Sequence, residues 1–466
     1  MYVYLVLGGV RTYRVEAAVW ILLATLVPLI GAPSHGSRQE SVEMDLPVRA
    51  LLLTGASAMW LLVLAPRFSA SFLSDDFVFL EIYRTPSDLL RSPEFFRPMF
   101  AVVFWSLVTI GRGSVVAFHV ASAILHTAAA ILVYVLVRRV MHSDTGAAIG
   151  TAVFIVNPLQ LEATLWVSGL QELLWTVCLL SALAVYTKQK ALSVSALAAT
   201  LVILTLALLS KETAICFVIM IPAADWLFFR FSRGPLLPWA YVAYPALATT
   251  YLAVHRRFAS PHAQFFQPPS RYFLKQMLGT PYSVFVQPWN VQAVDVPPMV
   301  SAALCVGLVA LVTWRALIPG EARRLIVGPA VVLLSTLPLY SFFFVGRDLS
   351  SARYLYFAAI GWSLLVAQLL TGIGRRTAAL LTAITLIVGS ALCLRFNTRP
   401  WDVASDFVLA VRDAARRGED PTRAVERMAT ERGIKLTRGD SAPDSYQGVT
   451  IFRNGFPEFL GQSRED

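Results

Sequence analysis

Apolar runs of about twenty residues recur through most of this chain, and each is long enough to cross a ~30 Å hydrocarbon layer as a helix. One of them is "VVAFHVASAILHTAAAILVYVLV" from Val115. A backbone in lipid must satisfy its own hydrogen bonds, so such runs fold as helices. Hydrophobic residues make up 56% of the 466 and charged residues only 15%, with a mean hydropathy of +0.62, far too apolar for a soluble protein of this size. The chain is read as an all-α polytopic membrane protein.

The expected spans are 47–66, 115–137, 145–164, 170–187, 191–209, 213–229, 237–254, 296–314, 325–344, 353–371 and 377–395, eleven in all. The short loops after even-numbered spans carry Arg138/Arg139, Lys188/Lys190, Arg230/Arg233, Arg315/Arg323/Arg324 and Arg375/Arg376. Basic short loops mark the cytoplasmic side, which places the other loops outside the cytoplasm. The net charge of +10 therefore speaks for topology and anionic head groups, with no nucleic-acid partner implied. Cys178, Cys216, Cys305 and Cys393 all fall in apolar runs without metal-ligand spacing and read as buried small residues.

Three domains are expected. Residues 1–43 are a hydrophobic extension that conflicts with the charge pattern: "VEAAVWILLATLVPLIGA" could span, yet a span there would invert every later helix. A start at Met44 resolves this, against an added span or a cleaved targeting segment. Residues 44–398 form the transmembrane body. Residues 399–466 hold 11 Lys/Arg and 12 Asp/Glu and form a small extracytoplasmic α+β tail. Its start, "WDVASDFVLAVRDAARRG", repeats Val403, Phe407, Val408 and Val411 at helical spacing; Asp420-Pro421 suits a second helix start; "GVTIFRNGFPEFL" reads as a strand, a turn and a second extended piece. The prolines and aromatics of 67–114 and of 255–295 suit amphipathic helices along the outer surface.

Ionisable residues gather at the outer helix ends: Asp75, Asp76, Arg97, Glu162, Glu172, Lys211, Glu212, Arg347 and Arg353, the last followed by Tyr354. Charges at the lip of a hydrocarbon layer cost desolvation unless paired or wet, which points to a site for an anionic substrate. A carboxylate there can serve as general base toward a hydroxyl while Lys and Arg neutralise a phosphate. Taken singly, each has a blander reading: Asp75-Asp76 as a helix cap, Lys211-Glu212 as an interface anchor, Arg353-Tyr354 as a snorkelling pair. Mutual repulsion within the Asp pair is expected to raise one of the two pKa values. His119 and His126, seven apart on one helix face, read as packed, hydrogen-bonded residues rather than metal ligands.

In chain order these pieces are "SDDF", "FRP", "FHVASAILH", "NPLQLEATLWVSGLQELL", "SKETAI" and "ARYLYFAAIG". The series resembles the polytopic GT-C glycosyltransferases, specifically the branch of protein O-mannosyltransferases and TMTC-type O-mannosyltransferases with their bacterial relatives. The resemblance runs from about Leu46 to Phe396 and implies a GT-C bundle. It also implies transfer of a sugar, with inversion, from a polyprenyl-phosphate lipid to a hydroxyl of a protein, glycan or lipid at the extracytoplasmic face of a cell membrane. Carried over, "SDDF" makes Asp75 or Asp76 the base, with Asp75 preferred. Glu162 and Glu172 shape the sugar or acceptor pocket, and Lys211 and Arg353 hold the lipid phosphate. The family carries an arginine where Leu170 follows Gly169, and Arg347 is the candidate replacement; it often carries an acid where Ala352 stands. No cofactor is implied beyond the donor lipid, and the Asp pair permits a divalent cation without demanding one. The rival readings are a transporter or flippase of lipid-linked intermediates, expected to place charges at the midplane and to show repeats, and a GT-C scaffold without activity.

Overall fold

The computed structural model describes residues 43–73, 75–90, 95–188, 191–229, 234–258, 284, 298–318, 322–337, 352–372 and 375–431. The helices are α1 Leu46–Leu64, α2 Asp75–Ile82, α3 Pro98–Ile110, α4 Val115–Met141, α5 Asp144–Ile155, α6 Leu161–Leu165, α7 Leu170–Lys188, α8 Val194–Ser210, α9 Phe217–Ala224 and α10 Leu237–Phe258. They continue with α11 Pro298–Ala316, α12 Ala322–Leu325, α13 Val327–Thr336, α14 Ala358–Thr371, α15 Arg376–Asn397, α16 Arg399–Arg416 and α17 Pro421–Glu431. Among the described residues there is no strand, and the chain is an all-helical polytopic membrane protein.

Among the described residues, four helical stretches can cross a membrane by length and composition, or five if the bent pair Asp144–Ile155 and Pro158–Leu165 is one span; Pro98–Ile110, Val194–Ser210, Val306–Ala316, Val327–Thr336 and Ala358–Thr371 are shorter apolar helices. Two of the expected spans are short or interrupted, and a third is described only in part. Helix α8 has 17 residues, about 26 Å of rise and just short of a full crossing. The span expected over 213–229 is divided into a 3-10 turn Glu212–Cys216, the α-helix Phe217–Ala224 containing Pro222, and a π-turn Asp225–Phe229. The far half of 325–344 lies outside the described residues.

Helix α5 is the centre of the bundle. Every residue from Thr145 to Ile155 is buried, and α1, α4, α14 and α15 pack around it. Gly146, Ala147, Ala148, Gly150 and Ala152 leave room for close approach, the main device of helix packing without a hydrophobic drive. Ser143 caps it by accepting the Gly146 N–H at 3.1 Å. Helix α4 has an inverted arrangement relative to a soluble protein: His119, Ser122, His126, Ala129, Val133 and Val137 face the bundle, while Val120, Ile124 and Ile131 lie exposed where lipid tails would be.

After α5 the chain bends by 49° at Asn157-Pro158. Asn157 Oδ1 accepts the Leu159 N–H at 3.0 Å, and the proline has no N–H to continue the helix. The Ile155 carbonyl freed by this break takes two side-chain donors, Gln160 Nε2 and His126 Nε2, the latter at 3.2 Å. His126 Nδ1 then accepts the Tyr356 hydroxyl at 2.7 Å. His119 places its nitrogens 2.8 Å from the Phe68 carbonyl and 3.0 Å from that of Leu165. Both histidines are thus packed and hydrogen-bonded, and among the described residues no three His, Cys, Asp or Glu side chains converge as a metal site.

The helix ends sort by chemistry. At one end Arg49 and Arg138 both meet Asp144, at 2.7 and 2.5 Å, Arg376 meets Asp45 at 2.5 Å, and Arg315 donates to the Gly372 carbonyl at 2.7 Å. This is the end of the short basic loops. The end of α1, all of α2, the starts of α3 and α7, the end of α8, residues 352–357 and the start of α16 lie at the opposite end, tied together by the contacts described below. The expectations for residues 1–42 and for the strand and turn after 432 lie outside the described residues, as do Lys190, Arg230, Arg233 and the loop 259–283. Cys178, Cys216 and Cys393 are not joined in disulfides; Cys216 and Cys393 are buried as expected, and Cys178 is half-buried.

Candidate functional site

Helix α2 starts with the two aspartates, and the structure separates their environments. Both sit in its first turn, where a carboxylate gains from the helix dipole. Asp76 is 1% exposed. Its Oδ2 accepts the Leu73 N–H at 2.9 Å, and its Oδ1 accepts the Ser168 N–H at 2.7 Å and the Ser168 hydroxyl at 2.5 Å. Both oxygens are consumed in tying α2 to the loop before α7. Asp75 is half-buried and near enough for its charge to act on both Asp76 and Arg353.

Burial pushes Asp76 up from 3.8 to about 7, against the pull of its hydrogen bonds; repulsion from Asp75 is the smallest of the causes. One pKa of the pair is raised as expected, but desolvation does it rather than repulsion. Between about pH 4 and pH 7 the folded chain then holds a proton that the unfolded chain has released, so stability is greatest below that window and falls as pH rises through it. The stability difference between wild type and Asp76→Asn is expected to shrink by on the order of 2–4 kcal/mol from pH 4 to pH 7. Thermal unfolding in detergent across that range measures it, and a constant difference would mean that the carboxyl never takes up the proton.

Three buried ion pairs stand beside this loop. Arg97, which caps α3, donates from Nε to Glu212 at 2.7 Å, again from Nη2, and from Nη1 to Gln171 at 2.6 Å. Lys211, in the extended turn after α8, pairs with Glu172, whose other oxygen accepts the Trp175 indole N–H at 2.6 Å. Arg353 donates its backbone N–H to Glu162 at 2.8 Å and its guanidinium to the other oxygen of the same carboxylate. Tyr354 joins two of them: Lys211 Nζ lies 4.2 Å from its ring centre, the Arg353 guanidinium lies 4.5 Å from it, and its hydroxyl accepts from Arg353 at 3.0 Å. Arg353 also lies 4.3 Å from the Trp166 ring centre.

Asp75, Asp76, Arg97, Glu162, Glu172, Lys211, Glu212, Arg353 and Tyr354 are thus brought to one end of the bundle. Arg347 lies outside the described residues. Pairing each cation with a carboxylate makes the group Arg97, Lys211, Arg353, Glu162, Glu172 and Glu212 formally neutral, so the cations are held in place and not offered as bare positive charge. Three elements supply this geometry because the 162–172 loop is folded tightly on itself. A Cβ at Gly169 would come within 2.8 Å of the Glu162 carbonyl oxygen and 2.9 Å of the Ala163 Cα, so only glycine fits there.

Sequence reasoning missed the neutral and aromatic partners. Ser168, Gln171, Trp166 and Trp175 all belong to "LWVSGLQELLW" and carry no charge to mark them. It also missed the first two turns of α16, where Asp402 pairs with Arg67 at 2.7 Å, Ser405 Oγ accepts the Ser71 N–H at 2.8 Å and Trp401 lies 6.5 Å from Trp166 between ring centres. A polar-aromatic start to an amphipathic helix was the signal available there.

No family model matches the chain. Over 147 residues, 31% of its length, it is 26% identical to Protein O-mannosyl-transferase F38B6.6 from Caenorhabditis elegans. That stretch covers 21% of the worm protein, so the chain spans about a fifth of the length of the curated relative it matches. Among solved structures, ArnT from Cupriavidus metallidurans bound to undecaprenyl phosphate aligns over 91% of this chain and 87% of its own, with a TM-score of 0.44 and 14% identity. The apo form of the same protein aligns over 78% and 80%, with a TM-score of 0.39 and 16% identity. The chain is an all-helical membrane protein similar, over about a third of its sequence, to a protein O-mannosyl-transferase.

Proposed function

We propose that the chain is an inverting glycosyltransferase of GT-C type, moving a sugar from a polyprenyl-phosphate lipid to an acceptor hydroxyl at the extracytoplasmic face of the membrane. The observation that carries it is the gathering, at the end opposite the basic loops, of a half-buried carboxylate, Asp75, with fixed cations, Arg353 and Lys211 both against Tyr354. The similarity to a protein O-mannosyl-transferase supports the same chemistry.

In this reading the acceptor oxygen attacks the anomeric carbon while Asp75 takes the hydroxyl proton. The bond from that carbon to the phosphate oxygen breaks, and polyprenyl phosphate leaves. Arg353 and Lys211 stabilise the charge growing on the leaving oxygen through N–H groups already oriented by Glu162 and Glu172. Preset donors of this kind need no reorganisation at the moment of reaction, which matters more here than net positive charge.

Purified protein in nanodiscs, given radiolabelled polyprenyl-phosphate sugars and hydroxyl acceptors, is expected to release polyprenyl phosphate and label the acceptor together. Movement of intact donor lipid across the bilayer without transfer would establish the transporter reading instead.

A further inference from the structure

The reaction as proposed uses nothing beyond Asn397, yet the first two turns of α16 grip the loop that carries the aspartates. Asp402 holds Arg67 at 2.7 Å and Ser405 holds the Ser71 N–H at 2.8 Å, at two points four residues apart along the chain. The third contact is Trp401 against Trp166, two buried rings 6.5 Å apart.

Trp166 is a junction. Its indole N–H donates to the Leu73 carbonyl at 3.1 Å, its face carries the Arg353 guanidinium at 4.3 Å, and Leu73 in turn donates its N–H to Asp76. Displacing the Trp166 ring therefore moves both the start of α2 and the cation opposite it. The face of α16 that packs inward, Trp401, Ala404, Phe407, Val408 and Val411, is buried, so the helix is seated and not merely tethered.

We propose that Trp401, with Asp402 and Ser405, is a positioning element for the site: α16 braces Trp166 and the 67–73 strand of backbone, and through them sets the alignment of Asp75 with Arg353. The consequence for turnover rests on the glycosyl-transfer reading; the brace itself does not. A brace acting on alignment alters the chemical step more than donor binding, because misplacement by about an ångström can cost on the order of 10²-fold in rate.

The test uses full-length Trp401→Ala and Trp401→Phe, with amide hydrogen exchange read alongside transfer. In Trp401→Ala, exchange at the Leu73, Asp76 and Ser168 amides is expected to rise about tenfold or more while the α4 and α5 amides stay as in wild type. Transfer kcat is expected to fall about tenfold or more with donor KM within about twofold, and Trp401→Phe to restore most of both readouts. Unchanged exchange at those three amides, or a rise spread evenly through the bundle, would overturn the brace. The predicted local exchange change without transfer in wild type would uphold the brace and remove the glycosyl-transfer reading.

Discussion

Asp75→Asn is expected to lower the proposed sugar transfer by about 10²–10⁴-fold, the contribution typical of a positioned general base, and to leave the thermal midpoint near that of wild type. Asp75 is half-buried in the first helical turn, and an asparagine there keeps the shape while removing the proton acceptor. Asp76→Asn behaves differently. Its two oxygens accept three donors from Leu73 and Ser168, and an amide can present only one oxygen, leaving its NH₂ against an N–H. That variant loses on the order of 1–3 kcal/mol of stability for the donor left unsatisfied, and its activity falls as a consequence of a loosened loop. Measuring rate and unfolding midpoint on both variants separates the roles. Full activity in Asp75→Asn, or equal loss of stability in the two, would remove Asp75 as base.

Much of the bundle was legible because membrane helices advertise themselves by length and apolarity. The expected spans 170–187, 237–254 and 377–395 differ from α7, α10 and α15 by only a few residues at either end. The breaks were harder, since a helix interrupted within lipid needs partners from elsewhere in the chain: nothing in "NPLQ" shows that His126, on another helix, will join Gln160 in covering the Ile155 carbonyl. The charged members of the site could be gathered from the sequence because burying a charge is costly and so rarely accidental. Their pairing could not. Lys211-Glu212 are neighbours in the chain, yet Lys211 binds Glu172 and Glu212 binds Arg97, because the extended backbone at Lys211, with φ −163° and ψ 138°, separates adjacent side chains.

That exchange of partners sets the second large effect. Lys211→Met destabilises the protein by about 3–5 kcal/mol, since it leaves Glu172 uncompensated in a site where both side chains are buried. The methionine fills most of the space of the lost stem, so the cost is electrostatic and is recoverable. Adding Glu172→Gln, which still accepts the Trp175 N–H, should restore most of the stability without restoring full transfer, because Arg353 is then left to face the leaving phosphate beside Tyr354 without the lysine. Lys211→Arg is not a conservative test: a larger, planar guanidinium has to be accommodated at a position only 1% exposed, and it pairs with carboxylates by a different geometry. Unfolding in detergent, read on the single and double variants, decides the matter. A double variant no more stable than Lys211→Met would mean that the lysine contributes by packing alone, and the pair would lose its place in the proposed chemistry.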